Sequence, residues 1–344
     1  MRTIIVTGAA GFIGSNLSKE LLAQDYKVIG VDNFDNTYEK AFKEEHVASL
    51  LTCKSFTLEK LDIRDRAAMI ALFEKEKPEH VVHLAAKADT RAAVEDPYPY
   101  IDTNINGSLS VFDAARKTGV SHIVNISSSS VYGNTPTPWS EERITDEPLS
   151  PYGATKRSVE LFAYAYHHNF QIPITSLRYF NVYGENNRPS MVPYKWARAM
   201  LKGEEIEISG AGTRKRDYTY VGDTVRATIL ALQKPNGYQT FNIGNNNPVT
   251  LRELLSIFED VIGVKANVRE RKSHNASVEE TYADISKAEK ILGWKPEISL
   301  HDGINRLVTW VRANRMNENK RLKIPNEEFQ KDSSNEHPTR IYQQ

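Results

Sequence analysis

Arg2-Thr3-Ile4-Ile5-Val6-Thr7-Gly8-Ala9-Ala10-Gly11-Phe12-Ile13-Gly14 opens the chain with a short apolar run that stops at glycine. Such a run reads as a buried parallel strand. Phe12 to Ala23 then carries helical periodicity, so Gly8, Gly11 and Gly14 occupy a strand-to-helix turn. The first glycine permits a tight turn, the second lets backbone approach a pyrophosphate, and the third lets the helix pack closely on the strand. The helix N-terminus offers unpaired N–H groups and a positive dipole to phosphate. Lys27 to Asp32 is the next strand, and it ends in a carboxylate. There an acid accepts hydrogen bonds from ribose hydroxyls and repels a 2′-phosphate, so the expected cofactor is NAD and not NADP.

The pattern continues outward from that turn. Strands are expected at Phe56 to Leu61, His80 to Ala85, His122 to Ser127 and Ile174 to Arg178. Helices are expected at Arg66 to Lys75, Tyr98 to Lys117 and Pro151 to His168. Regular alternation of strand and helix predicts an α/β fold, a Rossmann-type doubly wound parallel sheet. After Asn181 the pattern loosens, with helices at Pro193 to Lys202 and Thr250 to Ile262 and short strands at Ile206 to Ser209 and Phe241 to Ile243. The expected division is residues 1–180 for nucleotide binding, with later segments returning to it. Residues 181–316 would form mainly a smaller α/β substrate-binding lobe, and 317–344 a polar C-terminal tail. No internal repeat is visible.

Composition excludes several classes. Among 344 residues, 44 basic and 44 acidic side chains cancel. Nothing therefore argues for a nucleic-acid or anionic-membrane partner. No apolar run approaches the roughly 18 residues of a membrane span. Structure is expected to begin at residue 2, which leaves no room for a signal peptide. A single cysteine, Cys53, excludes an internal disulfide and suits a reducing cytoplasm. The nine histidines show no H-E-x-x-H spacing, so no metal is expected.

Chemistry concentrates further along. Tyr152 and Lys156 lie four residues apart on an expected helix, on one face. A free phenol has a pKa of about 10 and is a poor base at neutral pH. A nearby ammonium favours the phenolate. A serine run, Ser127-Ser128-Ser129-Ser130-Val131-Tyr132-Gly133, precedes the pair. Glycine loop, serine run and Tyr-x-x-x-Lys together resemble the extended short-chain dehydrogenase/reductase superfamily, whose glycine spacing is G-x-x-G-x-x-G.

That resemblance implies roles for individual residues. Tyr152 would be the base or acid, Lys156 would tune it and bind the nicotinamide ribose, and Ser128 would complete the triad. Besides the glycines and Asp32, cofactor contacts are implied for Phe12, Ile13, Asn33, Asp62, Ile63, Leu84, Ala85, Ala86, Lys87 and Asn104. The resemblance covers about residues 1 to 315 and is close to the sugar-nucleotide 4-epimerases. Its nearest branch is the UDP-glucuronate 4-epimerases. The marks are the insertion Asp32-Asn33-Phe34-Asp35-Asn36-Thr37-Tyr38 with Lys43-Glu44-Glu45, then Arg91, and the run from Tyr183 to Met191. Substrate contacts are implied for Arg91, Ser128, Ser129, Asn181, Arg188, Arg216 and one of Arg269 or Arg271. Arg188 is the candidate grip on a sugar carboxylate. Sugar-nucleotide dehydratases carry Asp-Glu at the positions of Ser129 and Ser130, and UDP-glucuronate decarboxylases carry glutamate at the second. Serine is a poor acid, so elimination is not expected.

The resemblance departs at Glu185 and Ser190, where the branch has proline and aspartate, and at Ala276-Ser277, where it has Gly-Asp. The implied activity is NAD-dependent 4-epimerisation of a UDP-sugar, first UDP-glucuronate to UDP-galacturonate. The alternatives are a UDP-glucose or UDP-N-acetylglucosamine 4-epimerase, then a decarboxylase or dehydratase, and, from another class, a non-catalytic NAD-binding sensor. Leu161 to Tyr166 is apolar around most of its helix. That fits the family's homodimer, built as a four-helix bundle.

Overall fold

The computed structural model describes residues 1–271 and 278–316. Six strands come first in chain order: β1 (Thr3–Thr7), β2 (Lys27–Val31), β3 (Phe56–Glu59), β4 (His80–His83), β5 (His122–Ser128) and β6 (Ile174–Tyr179). A seventh, Tyr238–Ile243, joins them after the chain has left and returned. The order across the sheet is Tyr238–Ile243, β6, β5, β4, β1, β2, β3, and every pairing is parallel. Winding reverses between β1 and β4, which opens a crevice at their carboxyl ends.

Alternation along the strands explains the two-faced core. Ile4, Val6, Val28, Val82 and Val124 face one layer with Phe12, Leu17 and Leu21 of the first helix. Ile5, Ile29, Val81 and Ile123 face the other, with Met69, Phe73, Phe112 and Val159. The same first layer holds Val225 and Leu232 of the helix Val221–Gln233. The chain division near residue 180 is thus not a division in space, because residues 221–243 rejoin the sheet.

The expected helix from Tyr98 to Lys117 has three parts. Tyr98–Tyr100 and Ser108–Thr118 are α-helical, and Ile101–Gly107 between them is a wide π turn. A Cβ on Gly107 would stand 2.6 Å from Ile63 Cδ1, so a larger residue there would force the Ile63 side chain to shift. Sequence periodicity cannot separate a π turn from an α turn. The insertion after Asp32 contains a helix of its own, Lys40–Ala48, which the periodicity did not reveal.

The smaller lobe packs the helices Val192–Lys202, Leu251–Ile262 and Leu300–Asn314 against one another. Thr250 starts the second of these with a capping box to Glu253. Beside them Ile206–Ser209 pairs in parallel with Val268–Arg271, and Lys215–Asp217 pairs antiparallel with Pro248–Thr250. Ala276-Ser277 and the expected polar tail from 317 lie outside the described residues.

Candidate active site

One cavity of about 930 Å³ runs from the crevice at β1 and β4 into the smaller lobe. At its first end lie Gly8, Gly11, Phe12, Ile13 and Gly14. Gly8 has φ +73°, and a Cβ there would come 2.9 Å from the backbone nitrogen of Ala85. A Cβ on Gly14 would come 2.0 Å from the Gly8 carbonyl oxygen. The helix Phe12–Ala23 starts at Gly11 with no side chain capping it, leaving its first N–H groups for an anion. The absent side chains and uncapped N–H groups fit a dinucleotide pyrophosphate.

Asp32 is buried at the end of β2. Its carboxylate accepts from the backbone N–H of Ala10 at 3.1 Å and of Phe34 at 2.8 Å. Burial raises its pKa, and Lys43, 3.7 Å away, opposes that most. Asn33 and Ile63 line the cavity, whereas Asp62 is tied to Arg64 and Asn33 beside it. Hydrogen bonds from Arg64 hold the Asp62 carboxyl at about 2. Leu84, Ala85, Ala86 and Lys87 form the opposite lip. Asn104 is not in the lining. Its amide bonds the Lys87 backbone on both sides, at 2.8 and 3.0 Å, and donates to Thr155 Oγ1 at 2.9 Å. From the π turn it therefore braces the helix that carries Tyr152.

Ser128 ends β5, and the helix Pro151–Phe170 presents Tyr152 and Lys156 to the same cavity. Ser150 caps that helix through the backbone N–H of Gly153 at 3.1 Å, and Pro151 opens it. The Ser128 hydroxyl donates to Ser130 Oγ at 3.2 Å, and its side chain lies close enough to Tyr152 to oppose the rise in the phenol pKa. Burial raises the Tyr152 pKa, and the groups that oppose it are Ser128 and Arg188. Lys156 is turned to the Ile126 carbonyl, to which Nζ donates at 2.7 Å. Burial lowers the Lys156 pKa to about 8, and Glu160 opposes that.

The substrate candidates separate. Arg91, Ser129, Asn181, Arg188 and Arg271 line the cavity. Arg271 stands 3.6 Å from Glu207, whereas Arg269 pairs outside the lining with Glu205 and Glu207. Arg188 donates to the Ala88 carbonyl at 3.0 Å, and no described carboxylate pairs with it. Glu185 instead accepts from the Tyr220 hydroxyl at 2.7–2.8 Å. Arg216 is not in the lining: its guanidinium donates to the carbonyls of Lys215, Val278 and Glu279. Backbone acceptors next to it, invisible to motif matching, explain that orientation.

Sequence reading assigned no role to Asp35, Tyr38, Lys43, Lys195 or Trp196, all of which line the cavity. Asp35 bridges Lys43 at 2.8 Å and Lys87 at 3.0 Å, joining the insertion to the opposite lip. The insertion itself was legible, but the contacts across the groove were not.

Fold and site together define an enzyme of nucleotide-linked chemistry, and comparison with known proteins names its class. The chain matches the NAD dependent epimerase/dehydratase family over residues 4–244, and it belongs to that family. It is similar to the UDP-glucuronate 4-epimerase of Thermodesulfobacterium geofontis, 40% identical over 311 residues, covering 90% of this chain and 96% of that protein. Among solved structures it resembles the UDP-glucuronic acid 4-epimerase of Bacillus cereus in complex with UDP-glucuronic acid and NAD. The TM-score is 0.86 at 35% identity, covering 90% of this chain and 99% of that one. It also resembles the UDP-glucose 4-epimerase of Thermotoga maritima with UDP-glucose. There the TM-score is 0.84 at 33% identity, covering 90% and 99%.

The cofactor preference can be tested directly. Purified protein, once denatured, should release NAD with little NADP, because the Asp32 carboxylate would face a 2′-phosphate. A predominance of NADP in the released dinucleotide would remove that role from Asp32.

Proposed function

We propose that this chain interconverts UDP-glucuronate and UDP-galacturonate by epimerisation at C4. The observation that carries the reading is Arg188. Its guanidinium lies in the cavity close enough to Tyr152 to lower the phenol pKa, and no described carboxylate neutralises it. A cation so placed suits a sugar carboxylate beside the reacting carbon. The names of the relatives support the same substrate.

NAD, held by the glycine loop and Asp32, would supply reversible hydride acceptance at C4. The chain's own residues handle protons and position. Tyr152 accepts the C4 hydroxyl proton and later gives it back. Ser128, beside the phenol, would steady it with its hydroxyl. Lys156, when protonated, supplies a positive charge beneath the site. Arg271 and Asn181 are candidates for holding the nucleotide diphosphate while the 4-keto sugar turns over. The cofactor contacts are proposed for the glycine loop, Asp32, Asn33, Ile63 and the Leu84–Lys87 lip. Ser129 and Ser130 offer no strong acid, which disfavours elimination. A sensor without catalysis is disfavoured because Ser128, Tyr152 and Lys156 meet in one cavity.

The test is incubation with UDP-glucuronate, UDP-glucose and UDP-N-acetylglucosamine separately, with the products resolved. UDP-galacturonate should form from the first without net NADH or carbon dioxide. Turnover of the neutral hexose alone would move the protein to the hexose epimerases, and a stoichiometric yield of UDP-pentose to the decarboxylases.

The same reading includes a homodimer. Leu161, Phe162 and Tyr164 on the helix Pro151–Phe170 are exposed, as are Tyr98 and Ile101 at the start of the preceding helical run. Pairing these faces across two copies would make a four-helix bundle. Sedimentation of the purified protein should give twice the chain mass; a single-chain mass at micromolar concentration counts against it. No described helix is long and apolar enough to cross a membrane. The lone thiol Cys53 is exposed, which supports a reducing, cytoplasmic setting.

A further inference from the structure

One turn beyond Lys156, on the same helix, Glu160 is fully buried. A carboxylate survives such burial only when it is well partnered. Oε1 accepts from Ser127 Oγ at 2.6 Å and from Arg178 Nε at 2.8 Å. Oε2 accepts from a second Arg178 nitrogen at 2.8 Å and from Arg157 at 3.3 Å. Ser127 and Arg178 are register partners on β5 and β6. The carboxylate thus clamps the helix to two adjacent strands, directly beside the residue whose carbonyl holds Lys156, Ile126.

We propose that Glu160 is a positioning residue for the active site, holding Lys156 in place and keeping it positively charged through the buried Ser127–Glu160–Arg178 clamp. This rests on the reading that Tyr152 and Lys156 are the reacting pair. The physical argument is charge balance. Lys156 Nζ is buried with one neutral acceptor, so desolvation favours its neutral form. Two arginines already crowd the same region, Arg178 from β6 and Arg157 from the helix. Glu160 bonds both of them, while Asp146 reaches only Arg157, at 3.9 Å, and Glu141 acts on Arg178 from further off; the Glu160 charge opposes the fall in the Lys156 pKa. The other titratable groups facing this region are Tyr152 on the helix, Tyr132 after β5, Tyr238 on the seventh strand and His83 on β4, with Glu141, Lys287 and Asp146 on the far side of the two arginines. Burial keeps the tyrosines protonated and the His83 ring neutral, with its pKa at about 3. Near pH 8, Lys156 is therefore the group of this cluster that titrates.

Two variants pull in opposite directions. Glu160→Gln keeps the size of the side chain and removes its charge. Arg157→Gln, at a half-buried position, removes a cation and leaves more of the Glu160 charge unanswered. The protein as purified, with its bound dinucleotide, is labelled with ¹³C at lysine Cε and titrated by NMR. The Lys156 signal is assigned by its loss in Lys156→Arg. Relative to the unmodified protein, the Lys156 midpoint should fall by roughly one pH unit in Glu160→Gln and rise in Arg157→Gln. Unmoved midpoints, or shifts of one sign in both, overturn the proposal. Should Glu160→Gln not fold, Arg157→Gln decides alone, and a midpoint at or below that of the unmodified protein overturns it. The titration needs no turnover. Shifts as expected in a protein that makes no epimer would count against the proposed function and not against the clamp.

Discussion

Tyr152→Phe is expected to abolish turnover while leaving the fold and the bound dinucleotide intact. The ring of Tyr152 packs edge-on against Tyr100, with centroids 6.4 Å apart, and a phenyl group keeps that contact. What is lost is the hydroxyl. No neighbour replaces it, because the Ser128 hydroxyl is already engaged with Ser130 and serine is far less acidic than a phenol. Proton transfer by a placed group is worth roughly 10²–10⁴ in rate. Both halves of the proposed reaction need it, first to remove the C4 hydroxyl proton and then to restore it. The measurement is the rate of UDP-galacturonate formation, with dinucleotide content as the check on folding. Near-normal activity would take Tyr152 out of the mechanism. Burial raises the pKa of the phenol and the Arg188 charge opposes that, so Arg188 bears on the chemistry as well as on binding.

Arg188→Ala should change which sugar is used. Arg188 follows the strand Val182–Tyr183 where the chain enters the smaller lobe, and Pro189 restricts the backbone after it. Hydrogen bonds to the Ala88 carbonyl and the Met191 sulfur hold the guanidinium over the cavity. It can meet a C5 carboxylate with two parallel bonds. Losing a charge-assisted contact of this kind costs about 1.5–3 kcal/mol, or roughly one to two decades in affinity. UDP-glucuronate turnover should fall by that much, and any UDP-glucose turnover far less. The comparison is the ratio of catalytic efficiencies for the two sugars in both proteins. An unchanged ratio would show that Arg188 does not read the carboxylate. A second signature is available: the 4-ketone is β to that carboxylate, so a loosened grip favours loss of carbon dioxide. UDP-pentose appearing as a side product in the variant would report the same contact.

The fold was legible because its signals are local. An apolar strand running into Gly8, Gly11 and Gly14, an acid at the end of the next strand, and regular alternation thereafter leave little choice but a doubly wound sheet. Asp32, Ser128, Tyr152 and Lys156 were legible for the same reason. Each sits at a strand end or on one helix face, where spacing alone sets direction. Other assignments depended on partners far away in sequence. Arg216 carried a motif, yet carbonyls more than sixty residues onward decided where its guanidinium points. The bonds from Asn104 to the Lys87 backbone and Thr155, made from the π turn, depend on residues far away in sequence. The charge state of Tyr152 and Lys156 followed from burial and from Ile126, Arg188 and Glu160, which no spacing rule encodes. Residue order by itself determined the strands and the glycine turn and placed the proposed reacting groups at a strand end and on one helix face, because short-range geometry sets those positions. Tertiary structure decided which charges meet, which are buried and which helix is braced, because electrostatic and packing energies depend on distances that only the folded chain creates.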